Sequence, residues 1–154
     1  MKINEKINEL ERQLNELKAS LKEEAKDDRP ITERVKTFKD ACRVLGDNHQ
    51  FVSEWSVVSE ITNISPDLRA YFKLRIITAA LNEGWEPEFT ESEQRYSPWF
   101  EKTSNGIAFA DVCFDDSFPY IGITARLAFK TSELAEYAGK QFEDIWADYL
   151  SIRE

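Results

Sequence analysis

Histidine, cysteine and glycine are scarce in this chain of 154 residues, which contains one histidine, two cysteines and five glycines. Two isolated cysteines, Cys42 and Cys113, form neither a disulfide framework nor a metal-binding motif, so we expect small core side chains in a reducing compartment. Any Ser-His-Asp or Cys-His arrangement would have to use His49, whose polar surroundings predict an exposed loop residue. The sequence has no glycine-rich phosphate loop and no zinc-binding cluster. These absences argue against an enzyme and indicate neither a cofactor nor a metal ion.

Long apolar runs are also missing. No stretch approaches the ~18 consecutive apolar residues that cross a bilayer, and the N-terminus alternates charge with leucine instead of presenting a signal-peptide core. The hydrophobic content of 42% is still sufficient for a buried core. We therefore expect a soluble, unsecreted, cytoplasmic protein without a membrane partner.

Basic residues are in the minority, and the deficit is local. The formal net charge is −9, and residues 85–154 carry six basic and 14 acidic side chains, a net charge of −8. Such a surface repels nucleic-acid phosphates and attracts basic partners. The charge distribution therefore argues against direct binding of duplex DNA and favours a basic protein partner.

An apolar seam runs along the N-terminus, in and around the stretch "INELERQLNELKASL". Its members are Ile3, Ile7, Leu10, Leu14, Leu17 and Leu21. They alternate spacings of four and three residues over three heptads, with polar residues on both sides, which is typical of a coiled coil. Residues 1–29 are thus predicted to oligomerise the chain as a homodimer or homotrimer. Pairing of Lys6 with Glu11 of a second copy favours parallel helices, and a helix folded back on its own domain is the alternative.

Residues 30–154 are predicted to form a single α+β globular domain that begins with a helical subdomain. One helix face from Ile31 to the stop at Gly46 carries apolar residues. These are Ile31, Val35, Phe38, Ala41, Cys42 and Leu45. A short second helix follows in "QFVSEWSVVSEIT". Ser65 and Pro66 then start a third helix that is apolar nearly all round, reaches about Asn82 and should lie at the centre.

After residue 83 the apolar period changes from 3.6 to 2, which predicts a three-stranded antiparallel meander. "RYSPWFEK" and "IAFADVCF" flank Asn105-Gly106, which would supply the two positive-φ residues of a type I′ turn. Pro98 places the first strand at an edge. "GITARLAF" is the predicted third strand, with Ile123, Ala125, Leu127 and Phe129 on one side.

A C-terminal amphipathic helix is predicted over residues 132–152. Its apolar face carries Leu134, Ala138, Phe142, Ile145, Trp146, Tyr149 and Ile152, and its acidic face carries Glu133, Glu136, Glu143, Asp144 and Asp148. Gly139 lies on the apolar side. Because glycine costs a helix about 1 kcal/mol relative to alanine, its expected purpose is the close approach of a strand.

Three stretches, "NEGWEPEF", "RYSPWFE" and "RLAFKTSELAEYAGKQF", resemble a family of small uncharacterised proteins of bacteriophages and mobile elements of gut Bacteroidetes. The resemblance covers residues 31–150 and leaves the N-terminal seam as a more variable addition. It implies a phage or prophage setting, in the bacterial cytoplasm or associated with the virion, and an α+β domain. It transfers no catalytic residue.

The favoured function is that of a non-enzymatic interaction protein, a structural subunit or an inhibitor of a host factor. Its partner-binding residues would be Glu136, Glu143, Asp144 and Asp148 on the acidic face. The alternative is a module that sequesters a small ligand or nucleotide with the aromatic meander, through Tyr96, Trp99, Tyr120 and Arg126. A magnesium site at Asp111, Asp115 and Asp116 is a weaker reading, because aspartate is an ordinary turn former.

Overall fold

The chain has an α+β fold, which a computed structural model describes for residues 2–24 and 26–152. This part of the chain contains seven α-helices, one two-stranded antiparallel sheet and one 3₁₀ turn. The first five helices are α1 (Lys2–Glu24), α2 (Ile31–Arg34), α3 (Phe38–Leu45), α4 (Gln50–Val58) and α5 (Pro66–Asn82). The hairpin β1 (Arg95–Thr103) and β2 (Gly106–Asp115), a 3₁₀ turn (Ala125–Leu127), α6 (Ser132–Gln141) and α7 (Glu143–Leu150) follow.

Helix α1 exposes its entire apolar seam. All residues from 2 to 23 are exposed, and the six Ile and Leu side chains of the seam keep between 47% and 75% of their surface accessible. Since a helix folded back on its own domain would bury these side chains, the structure does not show the folded-back alternative. The seam is left uncovered within one chain.

Helix α5 is the centre of the globular part, as its all-round apolar character predicts. Its side chains Leu74, Ile76, Ile77, Ala80 and Leu81 are fully buried. Helices α2, α3, α4, α6 and α7 and the 3₁₀ turn all pack against it. The predicted start is confirmed, with Pro66 in the first helical position.

The predicted helix from Ile31 to Leu45 is interrupted at Val35. The hydroxyl of Thr37 accepts a hydrogen bond from Asp40 N at 3.1 Å, and the Asp40 carboxylate accepts one from Thr37 N at 3.0 Å. This capping box starts a new helix, α3, because it satisfies backbone N–H groups that would otherwise need the preceding turn. The apolar face survives the break, since Ile31, Val35 and Ala41 are buried.

The three-stranded meander is wrong, because the sheet has only the strands β1 and β2. The predicted third strand contributes one bridge, in which Phe129 N donates to Tyr96 O at 2.7 Å and Tyr96 N donates to Phe129 O at 3.0 Å. Two residues further along the same edge of β1 stands Pro98, which has no N–H to donate. The ladder therefore stops after one rung, and the chain forms the 3₁₀ turn instead. Ile123, predicted to share one side with Leu127 and Phe129, is fully exposed, whereas those two residues are buried.

The hairpin is confirmed, but its turn differs from the predicted one. Thr103 pairs with Gly106, so Ser104 and Asn105 occupy the centre of the turn. Gly106 has a positive φ of 115°, and Asn105 does not have a positive φ. Thr103 Oγ1 donates to Gly106 O at 2.9 Å and accepts from Asn105 N at 3.2 Å. These two bonds favour the observed turn over the predicted type I′ turn.

The closing helix is divided at Phe142 into α6 and α7. Phe142 has φ −115° and ψ 30°, outside helical values, and its ring is buried. The indole of Trp146 donates to Ala138 O at 3.2 Å and helps to satisfy the end of α6. Most of the predicted apolar face is buried, but Ile152 lies beyond the end of α7 and is exposed.

Gly139 allows the hairpin to lie directly on α6, as the sequence predicts. A Cβ atom on Gly139 would collide with the Phe109 ring and would lie 2.8 Å from Pro98 Cβ. No ordinary van der Waals contact is that short, so the glycine fixes the distance between helix and sheet.

Replacement of Gly139 by alanine should therefore destabilise the protein, although alanine is the better helix former. Overpacking of a tight contact costs about 1–3 kcal/mol, more than the ~1 kcal/mol that helix propensity returns. Urea denaturation of Gly139→Ala measures this loss. In a Phe109→Ala background the loss should shrink, because the colliding ring is gone. Stabilisation by Gly139→Ala alone would show that the contact relaxes freely.

Candidate functional site

A cleft of about 620 Å³ opens between α5, α7, β1 and the segment before the 3₁₀ turn. Five aromatic side chains line it, and we call it the aromatic cleft. They are Tyr71, Trp99, Phe100, Trp146 and Tyr149. Its size and its predominantly apolar walls are those of a small-molecule site.

The aromatic walls are built by pairs of rings from different elements. Tyr71 of α5 stacks on Tyr149 of α7 with ring centroids 5.9 Å apart, and Phe100 of β1 lies 5.5 Å from Trp146. Trp99 stands at the rim with 61% of its surface exposed. Ring faces held in this way offer a planar ligand contact at little entropic cost.

Polar groups at the cleft come from three elements. Asp67 lies in the first turn of α5, Ser97 in β1, and Thr124 and Arg126 at the 3₁₀ turn. No ion pair or side-chain hydrogen bond within residues 2–24 and 26–152 involves Arg126. A guanidinium that keeps its donors available beside aromatic faces suits a planar ligand with acceptor groups.

The structure brings together two of the four ligand-binding residues predicted from the sequence. Trp99 and Arg126 both line the aromatic cleft. Tyr96 instead packs against the core, and its hydroxyl donates to Gln94. Tyr120 keeps 77% of its surface exposed and does not line the cleft.

Sequence reasoning missed the helical half of the cleft. Trp146 and Tyr149 are three residues apart on α7, and Tyr71 lies on α5. The helical period marks all three for burial but does not distinguish a packed ring from one that lines a cavity. Their aromatic character was the available signal.

The loop after β2 is anchored by the buried Arg95. Its guanidinium donates to Ser117 O at 3.0 Å and forms ion pairs with Glu93 at 3.3 Å and Asp115 at 3.5 Å. Asp115 also accepts hydrogen bonds from the Ser117 N–H and hydroxyl. These bonds to Ser117, together with the charge of Arg95, lower the pKa of Asp115. Arg95 thus fixes the start of the segment that contains Ile123 and Arg126, both of which line the aromatic cleft.

Two of the three aspartates considered for magnesium are engaged within the protein. Asp115 binds Arg95 and Ser117, and Asp111 Oδ1 accepts from Val112 N at 2.8 Å. Across the residues that the structure describes, no three His, Cys, Asp or Glu side chains are grouped so that they could hold a metal ion.

The four predicted partner-binding carboxylates have different surroundings. Glu143 is half-buried, and its carboxylate accepts a hydrogen bond from Phe109 N at 2.9 Å on β2. Glu136 pairs with Lys140 at 2.6 Å along α6. Asp144 and Asp148 are exposed on α7. Glu143 is therefore less available to a partner than Asp144 and Asp148, because its carboxylate already accepts a hydrogen bond from β2.

The histidine and the two cysteines occupy structural positions. His49 is not a free loop residue: it is half-buried at the N-cap of α4, where Nδ1 accepts from Phe51 N at 3.1 Å. Cys42 and Cys113 are unpaired and half-buried. Burial raises the pKa of both thiols, which keeps them protonated and weakly nucleophilic at neutral pH.

Comparisons with known proteins identify no relative. No protein-family profile, curated protein or solved structure matches the chain. Among the described helices, none combines the length and the apolar character needed to cross a membrane.

Loss of the Asp115 charge should flatten the acid side of the stability profile. Because folding lowers the pKa of Asp115, its contribution is present above the unfolded pKa of about 3.9 and is lost as the pH falls through the lower folded value. Asp115→Asn should therefore reduce the urea midpoint at pH 7 and converge with the unmodified protein in acid. Asp116→Asn, at the exposed neighbouring position, is the control. A constant difference at every pH would contradict this account.

Proposed function

We propose that the protein is a homo-oligomeric, non-enzymatic interaction protein. One observation carries the proposal: α1 presents six exposed Ile and Leu side chains in a heptad seam and buries none of them in its own chain. A helix of 23 residues is about 34 Å long. An unpartnered apolar stripe of that length is stabilised in water by a second helix with the same stripe.

The polar side of α1 supports the proposal that the seam faces a second helix. Arg12 forms ion pairs with Glu9 at 2.7 Å and Glu16 at 2.6 Å, on the side of the helix opposite the seam. Such i,i+3 and i,i+4 pairs stabilise the single helix slightly and remain in solvent when the seam is covered. Mixed Ile and Leu at both seam positions are compatible with a dimer or a trimer, with Lys6 and Glu11 favouring parallel chains.

Replacement of Leu14 and Leu17 by aspartate should reduce the particle to single chains. Two carboxylates at the centre of the seam would be desolvated against each other, which a coiled coil of three heptads cannot tolerate. Sedimentation equilibrium should then give a mass near the 17.9 kDa of one chain. The control is Asn8→Asp with Asn15→Asp, which adds the same charge outside the seam and should keep the oligomer. A mass unchanged by the seam variant would remove the coiled coil from the proposal.

The second part of the proposal is a basic protein partner for the acidic C-terminal half. Asp144 and Asp148 are exposed on α7, in a segment with a net charge of −8. Charge of one sign on a rigid helix accelerates association with the opposite charge. Glu143 contributes less to this surface because its carboxylate accepts a hydrogen bond from β2, and Glu136 contributes less because it is paired with Lys140. The phage or prophage setting, with a role as structural subunit or host-factor inhibitor, is supported by the sequence resemblance alone.

A second candidate function is favoured by the aromatic cleft. Its ring walls and the available guanidinium of Arg126 would hold a planar compound such as a nucleotide base, which makes the protein a sequestering module. In an oligomer, each particle would carry several such clefts.

One capture experiment tests whether a protein partner binds the acidic surface or the aromatic cleft. The immobilised protein is exposed to a bacterial lysate at rising salt, and bound proteins are identified by mass spectrometry. We expect Asp144→Lys with Asp148→Lys to abolish capture, and capture to weaken as salt screens the charges over about 10 Å. Trp99→Ala should have no effect on it. If the charge reversal is without effect and Trp99→Ala prevents capture, the aromatic cleft is the partner site.

A further inference from the structure

The aromatic cleft lies along the outer edge of β1, the edge that faces away from β2. Residues 97–100 all line it. Successive side chains of a strand point to opposite faces of a sheet, so a cavity that contacts four consecutive residues lies beside the strand and not over one face. On the same edge, Tyr96 bonds to Phe129 in both directions. The cleft thus begins where this single bridge ends.

The pairing register directs the backbone of Phe100 towards the cleft. In an antiparallel pair, residues alternate between those that bond to the other strand and those whose N–H and C=O point away from it. Tyr96 points away, because both of its backbone groups bond to Phe129. The extra residue of the bulge, Ala110, belongs to β2, so the alternation in β1 continues unbroken through Pro98 to Phe100.

The opposite strand gives the same result. Phe100 pairs with Phe109, whose N–H donates to Glu143 at 2.9 Å on the outer edge of β2. The two phenylalanines therefore form a non-hydrogen-bonded pair, which leaves the N–H and C=O of Phe100 for a neighbour on the outer edge of β1. Within residues 2–24 and 26–152, no backbone hydrogen bond outside the hairpin involves Pro98 or Phe100.

The outer edge of β2 differs, because carboxylates occupy its donors. Glu143 accepts from Phe109 N, and the Asp111 side chain accepts from Val112 N at 2.8 Å. Such contacts cover an edge strand against pairing with another chain. Phe100 N has no backbone acceptor outside the hairpin in the part of the chain that the structure describes, so the two edges are not equivalent.

The space beside Phe100 is where the predicted third strand would have continued. The chain forms the 3₁₀ turn at Ala125–Leu127 instead, and the resulting gap is the cleft of about 620 Å³. Pro98 offers a C=O to this gap, and Phe100 offers both an N–H and a C=O. Donors and acceptors two residues apart match the backbone of an extended peptide, which adds to exposed sheet edges in this way.

The aromatic walls beside this edge fit one side chain of such a peptide. Tyr71, Trp146 and Tyr149 line the cleft from α5 and α7. Side chains of an added strand alternate between its two sides, so one aromatic residue enters the cleft while its neighbours point the other way. The walls thus select the side chain, and the edge of β1 selects the extended backbone.

We propose that the aromatic cleft binds an extended peptide segment, which adds to β1 as a third strand and places one aromatic side chain among Tyr71, Trp146 and Tyr149. Four residues of β1 line the cleft, so the segment has about four residues and a length of about 13 Å. This inference rests on the second candidate function, which makes the cleft a ligand site, and names a peptide as its ligand. A contact of this size is too weak to retain a protein partner through washing.

Titration of the full-length protein with the peptide acetyl-Thr-Thr-Trp-Thr-Thr-amide tests the proposal. We expect a Kd below about 1 mM by calorimetry, and binding at least tenfold weaker when the peptide carries alanine in place of tryptophan. N-methylation at the tryptophan and N-methylation at both adjacent threonines remove donors on opposite edges of the peptide. One pattern should therefore abolish binding, and the other should be tolerated.

Hydrogen exchange at single amides, followed by NMR, locates the contact in the protein. Trp99 and Glu101 alternate with Phe100 in β1 and direct their N–H groups to β2. In the free protein, the Phe100 amide should exchange faster than these two. At saturation with the peptide, exchange at Phe100 should slow at least tenfold, while Trp99 and Glu101 remain unchanged.

Adenosine, a planar compound without a peptide backbone, is the matched probe. Binding of adenosine without binding of the peptide would overturn the proposal and leave the second candidate function standing, whereas binding of neither would overturn both. Equal effects of the two N-methylation patterns, or unchanged exchange at Phe100, would exclude the added strand. Trp99→Ala should weaken peptide binding without loss of thermal stability, because this ring is mostly exposed at the rim.

Discussion

Burial of α5 on nearly every side organises the globular part of this protein. Leu74, Ile77 and Leu81 lose all contact with water, and each such side chain contributes about 1.5–3 kcal/mol. Helices α3 and α4, which precede the hairpin in the sequence, and α6 and α7, which follow it, all pack against α5. The hairpin contacts the core through Tyr96 and Phe100, and Gly139 sets its distance from α6. A substitution in the buried face of α5 would thus disturb the packing of the helices on both sides of it.

Two clefts adjoin α5, the aromatic cleft and a second one of about 710 Å³ between α4, α5 and residues 84–89. Residues in the N-terminal half of α5, such as Tyr71, line the aromatic cleft, and residues in its C-terminal half, such as Thr78, line the other. Between them lies the segment around the 3₁₀ turn, which Asn82 holds at Ala128 and Lys130. Pro98 keeps this segment from completing the sheet, and a segment that is no strand can present Arg126 to both cavities. The failed third strand therefore creates the polar element that the clefts share.

Periodicity predicted the elements of this fold better than their interruptions. The heptad seam of α1 follows from spacing, the central position of α5 from its all-round apolar character, and the close contact at Gly139 from a glycine on an apolar helix face. The break before Thr37 depends on local hydrogen bonds that compete with helix continuation. The Thr-x-x-Asp capping signature at residue 37 was readable, whereas the break at Phe142 depends on packing. The clefts could not be predicted, since they arise from residues of four elements that only the tertiary structure brings together.

The distribution of charge is compatible with the proposed self-association. Like charges oppose the assembly of identical chains, and the penalty grows as the charges approach one another. Residues 2–24 carry five basic and six acidic side chains, so α1 is nearly neutral while residues 85–154 hold −8. In an assembly joined through α1, the seam would meet without electrostatic opposition, and the acidic segments would repel one another away from it. That repulsion would hold the globular parts apart and leave α7 and both clefts of each copy facing solvent. Several identical sites on one particle would then raise the effective concentration for a multivalent partner.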